Sequence, residues 1–266
     1  MALIWDDEAL SRDAFLGGAL QVWQPRRGYR AGVDPVLLAA AVPAMAGQTV
    51  LELGCGVGVA SLCLAVRVPG LRLHGVEIQE DYAELARRNA LENKAPLTVT
   101  TADLRALPDD LRMQSFDHVL MNPPYFDRET GTGSDDPGRD TALGGDTPLA
   151  DWLDIAARRL GPKGVLTLIQ RVARLPEVLT GLSGRLGSVI VLPLAPRIGA
   201  AAELFILQAR KSGRTPFRLA PQLVLHEGIE HDRDGESYSN LVTGILRHGA
   251  ALPLFHYGFG KISSAT

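Results

Sequence analysis

The apolar positions of this chain fall into short runs and into helical spacings that alternate along the sequence. Apolar runs bounded by turn residues predict strands at 49–53, 72–77, 97–101, 116–121 and 164–170. Apolar residues at helical spacing predict helices at 35–46, 58–67, 80–93, 148–160 and 174–183. Because strands and helices alternate in short periods, we expect an α/β fold with a parallel sheet and helices on both faces.

Both ends of the chain add to this alternation. Two apolar runs, 186–192 and 202–209, have no convincing helix between them, which predicts an antiparallel hairpin at one edge of the sheet. From residue 213 onward the pattern is less regular, and we expect a strand, a loop and a short helix packed on the main domain. Near the start, Asp34 is a good N-cap and Pro35 suits the first position of the helix that follows.

Composition and charge exclude several classes of protein. The chain has 266 residues and a net charge of -3, which argues against coating nucleic acid with a uniformly basic surface but is compatible with a local basic patch. Its two cysteines, Cys55 and Cys63, form no Cys-x-x-Cys pair, so we expect neither a disulfide framework nor a metal cluster. The acidic start of the chain has no basic region ahead of an apolar run, so we expect no secretory signal. No apolar stretch approaches the ~18 residues of a membrane span, so we expect a cytoplasmic protein without a membrane partner.

The first predicted strand ends in a glycine-rich turn that is typical of a ligand site. Gly54, Gly56 and Gly58 have G-x-G-x-G spacing, whereas a dinucleotide fingerprint would be G-x-G-x-x-G. Glu52 lies two residues before the first glycine, where a carboxylate can meet a cationic amino group such as the methionine end of S-adenosylmethionine (SAM). The alternative is a tight strand-to-helix turn that holds no ligand.

Acidic residues also follow the next two strands. Glu77 ends the second strand, where a carboxylate can accept both hydrogen bonds of a ribose diol, or can simply precede a helix. After the third strand, the Asp103 carboxylate is a candidate acceptor for an adenine amino group and the Leu104 N–H a candidate donor to the ring. These positions come in order at successive strand ends, where ligands bind in parallel sheets, and together they predict a SAM site.

The fourth strand leads directly into Asn122-Pro123-Pro124-Tyr125, which we interpret as the catalytic motif. Two prolines stop the strand and fix the backbone, so the Asn122 side chain and the Pro123 carbonyl become rigid acceptors. Two acceptors that hold both hydrogens of an exocyclic or amide NH2 favour a pyramidal nitrogen and stabilise the positive charge that develops during methyl transfer. Tyr125 offers a flat face on which a planar base or amide can stack, while the alternative is an ordinary Pro-Pro turn.

The chain resembles the class I SAM-dependent methyltransferases of the N-P-P-Y group, and most of all the bacterial tRNA(Val) adenine-N6 methyltransferase family. The segments that carry the resemblance are Asp13–Gly18, Gln24–Asp34, Leu51–Gly58, Glu77, Asp103, Asn122–Tyr125 and Leu225–Glu227. The resemblance implies a Rossmann-like, mostly parallel seven-stranded sheet, SAM as donor and an adenine in tRNA as acceptor. It also implies a capping segment at 1–47, a SAM-binding core at 48–212 and an extension at 213–266 within a single compact domain.

Several alternatives stay open on the sequence alone. The same motif suits a protein glutamine N5-methyltransferase, although only about fifty residues precede the first core strand, and a SAM-binding protein without catalysis is a third hypothesis. Arg26, Arg27 and Arg30 could face a phosphate backbone or solvent. The glycine-rich segment 131–145 follows the catalytic motif and is either a lid or an insertion, and within it we expect Arg139 to bind substrate.

Overall fold

The computed structural model of this chain describes residues 5–125, 147–182, 184–228 and 237–254. Its strands, in chain order, are β1 (Leu10–Phe15), β2 (Leu20–Pro25), β3 (Thr49–Leu53), β4 (Arg72–Glu77), β5 (Leu97–Thr101), β6 (Phe116–Met121), β7 (Leu160–Arg171), β8 (Leu186–Ala195), β9 (Leu204–Lys211), β10 (Arg218–Leu219) and β11 (Leu223–Val224). The helices are α1 (Asp34–Ala41), α2 (Val59–Arg67), α3 (Glu80–Glu92), α4 (Asp109–Arg112), α5 (Leu149–Arg159), α6 (Leu175–Leu182) and α7 (Asn240–His248).

The main sheet has the strand order β5-β4-β3-β6-β7-β9-β8-β10, and β11 also pairs with β8. Strands β5, β4, β3, β6 and β7 are parallel, while β9 runs antiparallel to both β7 and β8. This confirms the mostly parallel seven-stranded sheet and its antiparallel hairpin at one edge. The sheet is extended beyond that prediction by β10 and β11, two-residue strands from the tail that pair in parallel with β8.

The parallel strands lie where the apolar runs predict them, and β3, β4, β5 and β6 have the predicted bounds. Strand β7 is longer than predicted because Leu160 already pairs with Phe116, four residues before the predicted start, across an irregularity in register. The pairing places the carboxyl ends of β3, β4, β5, β6 and β7 along one edge of the sheet. Ligands bind at this edge in such folds.

Two apolar layers cover the two faces of the sheet. One contains Val50 together with side chains of α1, α2 and α3, and the other contains Leu51 and Leu53 together with side chains of α5 and α6. Because side chains alternate along a strand, Glu52 points to the same face as Val50, toward α2. A carboxylate is therefore built into the end of an otherwise apolar strand, on the face that carries the first three helices.

Helix α1 corrects the prediction made for residues 35–46. It ends at Ala41 because Val42 is extended, as expected for the residue before Pro43. The N-cap is Val33 rather than Asp34, and no side chain caps the helix by a hydrogen bond. Asp34 is the first helical residue, and its carboxylate contacts the catalytic motif.

The segment before α1 contains a hairpin, β1–β2, that the apolar pattern did not predict. It is attached to α3 by two asparagines one helical turn apart. Asn89 accepts a hydrogen bond from the Trp23 N–H at 2.8 Å and donates to the Trp23 carbonyl at 3.0 Å. Asn93 makes the same pair of bonds with Gln21. Each side-chain amide therefore replaces the peptide group that a neighbouring strand would have offered to the edge of β2.

The tail joins the main sheet and the N-terminal part of the chain. Strands β10 and β11 extend the edge at β8, and the Leu252 N–H donates to the Ala40 carbonyl of α1 at 2.8 Å. The boundaries at residues 47 and 212 stay a prediction. No helix within the described ranges combines the length and apolar character that crossing a bilayer requires.

Candidate active site

A cavity of about 330 Å³ opens at the carboxyl edge of the parallel strands. Its walls come from distant parts of the sequence: residues 29–35, the glycine-rich turn after β3, the end of β4, the Asn122–Tyr125 motif after β6, and Trp152 of α5. The predicted site residues that line it are Glu52, Gly54, Gly56, Glu77, Leu104, Asn122, Pro123 and Tyr125. The fold therefore brings residues predicted to bind the cofactor and residues predicted to act in catalysis to the same cavity.

Glu52 is a buried carboxylate on the wall of this cavity. Its Oε2 accepts hydrogen bonds from the Ser61 N–H at 3.0 Å and the Ser61 hydroxyl at 2.5 Å. Burial outweighs these bonds and raises the pKa of Glu52 to about 7, with a smaller contribution from the charge of Glu77. The charged form of Glu52 is therefore costly until a cation approaches.

Glu77 is the second buried carboxylate of the cavity wall. Its Oε2 accepts from the Gly56 N–H at 2.9 Å and its Oε1 from the Gln79 N–H at 3.0 Å, so it ties the glycine-rich turn to the end of β4. Burial raises the pKa of Glu77, and these backbone hydrogen bonds oppose the shift. A carboxylate held in this way presents fixed acceptor lone pairs to the cavity.

The glycine-rich turn is shaped by close packing. Gly54 has φ +66°, and a Cβ placed there would lie 2.5 Å from Cη2 of Trp152, so only glycine fits between the turn and α5. Gly56 has φ +52° and lies beside Glu77 and Tyr29 at the cavity. Gly58 is the N-cap of α2 and does not line the cavity.

The structure does not bring Asp103 to the cavity wall. Both carboxylate oxygens of Asp103 accept hydrogen bonds from the Arg105 side chain, the shortest at 2.8 Å, and the Arg105 N–H also donates to Asp103. These bonds lower the pKa of Asp103. Leu104 and Arg105 do line the cavity. The proposed role of Asp103 in binding adenine stays a prediction that requires its pair with Arg105 to rearrange.

The catalytic motif presents its two predicted acceptors beside the cavity. The Asn122 Oδ1 is buried and has no hydrogen-bond partner within the described residues. The Pro123 carbonyl accepts a long hydrogen bond, 3.3 Å, from Nε2 of the buried Gln170 in β7. Because a carbonyl oxygen has two lone pairs, one remains for a ligand. Gln170 was not singled out from the sequence, since it lies inside an apolar strand run.

Tyr125 is held by Asp34, a residue that lies 91 positions earlier in the chain. Its hydroxyl donates to Oδ2 of Asp34 at 2.6 Å, and the Arg171 guanidinium lies over its ring, 5.7 Å from the centroid. Burial and the Asp34 carboxylate raise the pKa of the Tyr125 phenol. Burial also raises the pKa of Asp34, while the bond from Tyr125 opposes this.

The capping segment reaches the cavity through Tyr29. The Tyr29 N–H donates to the Tyr82 hydroxyl at 3.0 Å, and Tyr82 belongs to α3. Arg30 binds Oδ2 of Asp13 at 2.6 Å and the hydroxyl of Ser11 at 2.7 Å, so it holds this segment to β1. The family resemblance implies a capping segment here, and Arg30 was expected to face a phosphate backbone or solvent. Its bonds to Ser11 and Asp13 were not predicted.

One predicted substrate-binding residue falls outside the described residues. Arg139 and the whole segment 131–145 belong to 126–146, so the substrate contact expected of Arg139 stays a prediction. Arg26, one of the arginines with an open role, donates from Nε to the Glu8 carbonyl at 3.1 Å.

The described residues suit SAM as a ligand. Two buried carboxylates, Glu52 and Glu77, border the cavity, and burial raises the pKa of both. A ligand that carries an ammonium and a sulfonium supplies the positive charge that makes their ionised forms favourable. Asn122, whose buried side-chain oxygen has no partner within the described residues, lines the same cavity.

The comparisons with known proteins agree with this reading. A family model described as "Methyltransferase small domain" matches residues 31–134. A "predicted O-methyltransferase" of Agrobacterium tumefaciens superposes with a TM-score of 0.67 at 25% identity, over 83% of this chain and 98% of that one. The 16S rRNA N2 G1207 methyltransferase of T. thermophilus, solved with AdoMet and guanosine, has a TM-score of 0.54 at 21% identity, over 76% and 50% of the two chains. The fold is that of a SAM-dependent methyltransferase.

Curated relatives define the family more narrowly. A tRNA1(Val) (adenine(37)-N6)-methyltransferase of Porphyromonas gingivalis is 34% identical over 175 residues, 62% of this chain and 68% of the relative. The relative of that name from Aeromonas hydrophila is 32% identical over 158 residues, 58% of this chain. The match spans 64% of the length of the Aeromonas relative and 66% of one from Shewanella baltica. The chain belongs to the family of the tRNA1(Val) (adenine(37)-N6)-methyltransferases.

Proposed function

We propose that this chain transfers the methyl group of SAM to the N6 amino group of an adenine in tRNA. The observation that carries the proposal is that Asn122 lines the cavity and that its buried side-chain oxygen has no partner within the described residues. The relatives of this family carry that activity in their names. Because tRNA is the acceptor in this proposal, we expect the enzyme to act in the cytoplasm.

The chemistry follows from the acceptor. An amino group on a purine is planar and a poor nucleophile because its lone pair is delocalised into the ring. Asn122 Oδ1 and the second lone pair of the Pro123 carbonyl can accept both of its hydrogens, which favours a pyramidal nitrogen and stabilises the charge that develops on it. Bound SAM supplies a methyl group activated by its sulfonium. No strong base is needed before attack, and positioning contributes much of the rate.

The other residues of the site would each have a separate role in binding the base, SAM or tRNA. Tyr125 offers an aromatic face for a base that has been turned out of its stack, as enzymes that act on bases require. Glu52 would face the cationic amino end of SAM and Glu77 its ribose hydroxyls, with the Gly54–Gly56 backbone beside them. Arg139 would bind the tRNA.

The test is transfer of labelled methyl from SAM to total bacterial tRNA, with total protein as a parallel acceptor. Label that digests to N6-methyladenosine supports the proposal, and mapping the labelled nucleotide then gives its position. Label in protein would replace the proposal with amide methylation of glutamine. Binding of SAM without transfer to either acceptor would contradict it as well.

We predict that Asn122→Ala lowers kcat by about a hundredfold or more, which is the typical loss when one preorganised polar group is removed from an active site. Binding of SAM should change little, because the substitution removes an acceptor for the amino group. The measurement is single-turnover methylation of tRNA together with calorimetric titration of SAM. Asn240→Ala is the matched control, since Asn240 is exposed at the start of α7. Equal rates in Asn122→Ala and the control would exclude the mechanism.

A further inference from the structure

The hydrogen bond between Asp34 and Tyr125 joins the catalytic motif to a residue that the proposed mechanism does not use. The two residues are separated by 91 positions, and the 2.6 Å distance between the phenol oxygen and Oδ2 is that of a short, charge-assisted bond. Asp34 lines the same cavity as Asn122, and it is the first residue of α1, whose following residues through Ala41 are buried. The backbone that carries the carboxylate is therefore firmly held.

The ring of Tyr125 is constrained on one face as well as at its hydroxyl. Arg171, the last residue of β7, places its guanidinium carbon over the ring at 5.7 Å from the centroid. A cation at this distance is attracted by the face of an aromatic ring. The ring is thus anchored at its hydroxyl and contacted by Arg171, and Tyr125 lines the cavity in which a planar group would lie.

We propose that Asp34 is a positioning residue, whose hydrogen bond fixes the Tyr125 ring so that one face takes the acceptor base with its amino group toward Asn122. The inference rests on the proposed function and adds a determinant of acceptor geometry to it. A tyrosine ring has two soft torsions, and stacking is productive only in a narrow range of both. An anchor at the far end of the phenol removes this freedom before the substrate arrives, so less entropy is lost when the base binds.

A purely structural role predicts a different outcome. An acidic residue in the first turn of a helix stabilises the helix by its charge, whether or not it touches Tyr125. In that case Asp34→Ala would lower the melting temperature and leave kcat and KM for tRNA unchanged in the folded fraction. The two roles are therefore separated by kinetics of folded protein rather than by stability.

The experiment is a double-mutant cycle with Asp34→Ala, Tyr125→Phe and the combined variant, measured as kcat/KM for tRNA at saturating SAM. Each single variant should lose about tenfold to a hundredfold, because either one removes the same charge-assisted bond. The combined variant should be no slower than the slower single variant. Asp34→Asn, which keeps an acceptor oxygen, should recover most of the loss, and Asp109→Ala on the exposed surface of α4 is the control.

A second readout needs no methyl acceptor. With 3-fluorotyrosine, which ionises more readily than tyrosine, placed only at position 125, the ¹⁹F signal reports ionisation of that phenol. Burial and Asp34 raise the pKa of the Tyr125 phenol, Tyr29 raises it further, and the charge of Arg171 opposes them. Replacing Asp34 by alanine should lower the midpoint of the titration, whereas Asp109→Ala should leave it in place.

The outcomes separate this inference from the proposed function. Non-additive losses in the cycle support the inference, while losses that multiply, or full activity of Asp34→Ala, overturn it. Should the wild type label protein rather than tRNA, the proposed acceptor fails and the same cycle, measured on that protein, decides the inference. Should it label neither, an unchanged ¹⁹F midpoint in Asp34→Ala overturns the inference and a lowered midpoint supports it.

Discussion

At the scale of single residues, the site buries carboxyl groups in surroundings that disfavour their charged forms. Burial raises the pKa of Glu52 from 4.5 to about 7. The folded, ligand-free protein therefore binds a proton at Glu52 more tightly than the unfolded chain does. By linkage, the contribution of Glu52 to folding stability is fully present below pH 4.5 and is lost as the pH rises through about 7. The contribution is of the order of 3 kcal/mol.

We predict that Glu52→Gln flattens this dependence, because glutamine has no proton to lose. The measurement is chemical unfolding of ligand-free protein between pH 4.5 and pH 8, for wild type and variant. Glu203→Gln is the matched control, since Glu203 is exposed in the segment between β8 and β9. A slope of equal size in wild type and Glu52→Gln would show that the Glu52 carboxyl is not the group that titrates. SAM, as a cation, should bind more tightly as the pH rises over the same range.

At this scale, the sequence predicts some of the residues that line the cavity and misses the contacts of others. Glu52, Glu77 and Asn122 are found from the sequence because each lies at the carboxyl end of a buried strand, and the carboxyl ends of parallel strands share an edge. Asp34 was interpreted as an N-cap because its neighbours favour a helix start. Its partner lies 91 residues away, and no local pattern carries that contact.

At the scale of elements, the β1–β2 hairpin depends on α3. Asn89 is fully buried, makes two hydrogen bonds with the Trp23 backbone, and donates to the Val57 carbonyl at 3.0 Å in the glycine-rich turn. One side chain thus connects the hairpin to the cofactor end of the cavity. Asn93 repeats the pair of bonds with Gln21, and its amide donates in addition to the Asn89 carbonyl within the helix rather than to that turn.

We predict that Asn89→Ala costs about 2–4 kcal/mol of stability, since it leaves buried peptide groups without partners. Amide exchange at Trp23 should become faster, and SAM should bind more weakly because the Val57 carbonyl is released. Asn93→Ala is the control: it should speed exchange at Gln21 and leave SAM affinity close to wild type. Hydrogen exchange read by NMR and calorimetric titration measure the two effects. Equal SAM affinity in Asn89→Ala and Asn93→Ala would show that the bond from Asn89 to the Val57 carbonyl does not affect SAM binding.

Elements differ in how well the sequence predicts them, for a physical reason. Strands β3, β4 and β6 have their predicted bounds because each is a short run with buried side chains in both apolar layers, while β5, at the sheet edge, contributes Leu97 and Val99 to one of them. The hairpin was missed because the outer edge of β2 is completed by asparagine side chains on a helix, a pairing that leaves no periodic signal. Helix α1 ended earlier than predicted because apolar spacing continues past Ala41 while Pro43 stops the helix.

At the scale of the whole molecule, the cavity exists only where several segments that are distant in sequence meet. Residues 29–35, the turn after β3, the end of β4 and the motif after β6 all contribute to its lining, so a bound ligand contacts parts of the chain that are far apart in sequence. SAM at a hundred times its Kd should stabilise the folded protein by about 2.7 kcal/mol. For a chain of this size that corresponds to a rise in melting temperature of roughly 5–10 °C.

The rise in melting temperature that SAM produces should differ between variants of Glu77 and Asp103, two acidic residues proposed to hold SAM. Glu77 lines the cavity and fixes the Gly56 N–H, so Glu77→Ala should weaken binding by about 1.5–3 kcal/mol and abolish most of the rise. Asp103 does not line the cavity and is paired with Arg105, so Asp103→Ala should keep more of the rise at the same SAM concentration. A loss in Asp103→Ala as large as in Glu77→Ala would mean that Asp103 exchanges Arg105 for the adenine amino group when SAM binds. A full rise in Glu77→Ala would instead exclude the ribose role of Glu77, because the remaining contacts would then account for all of the binding.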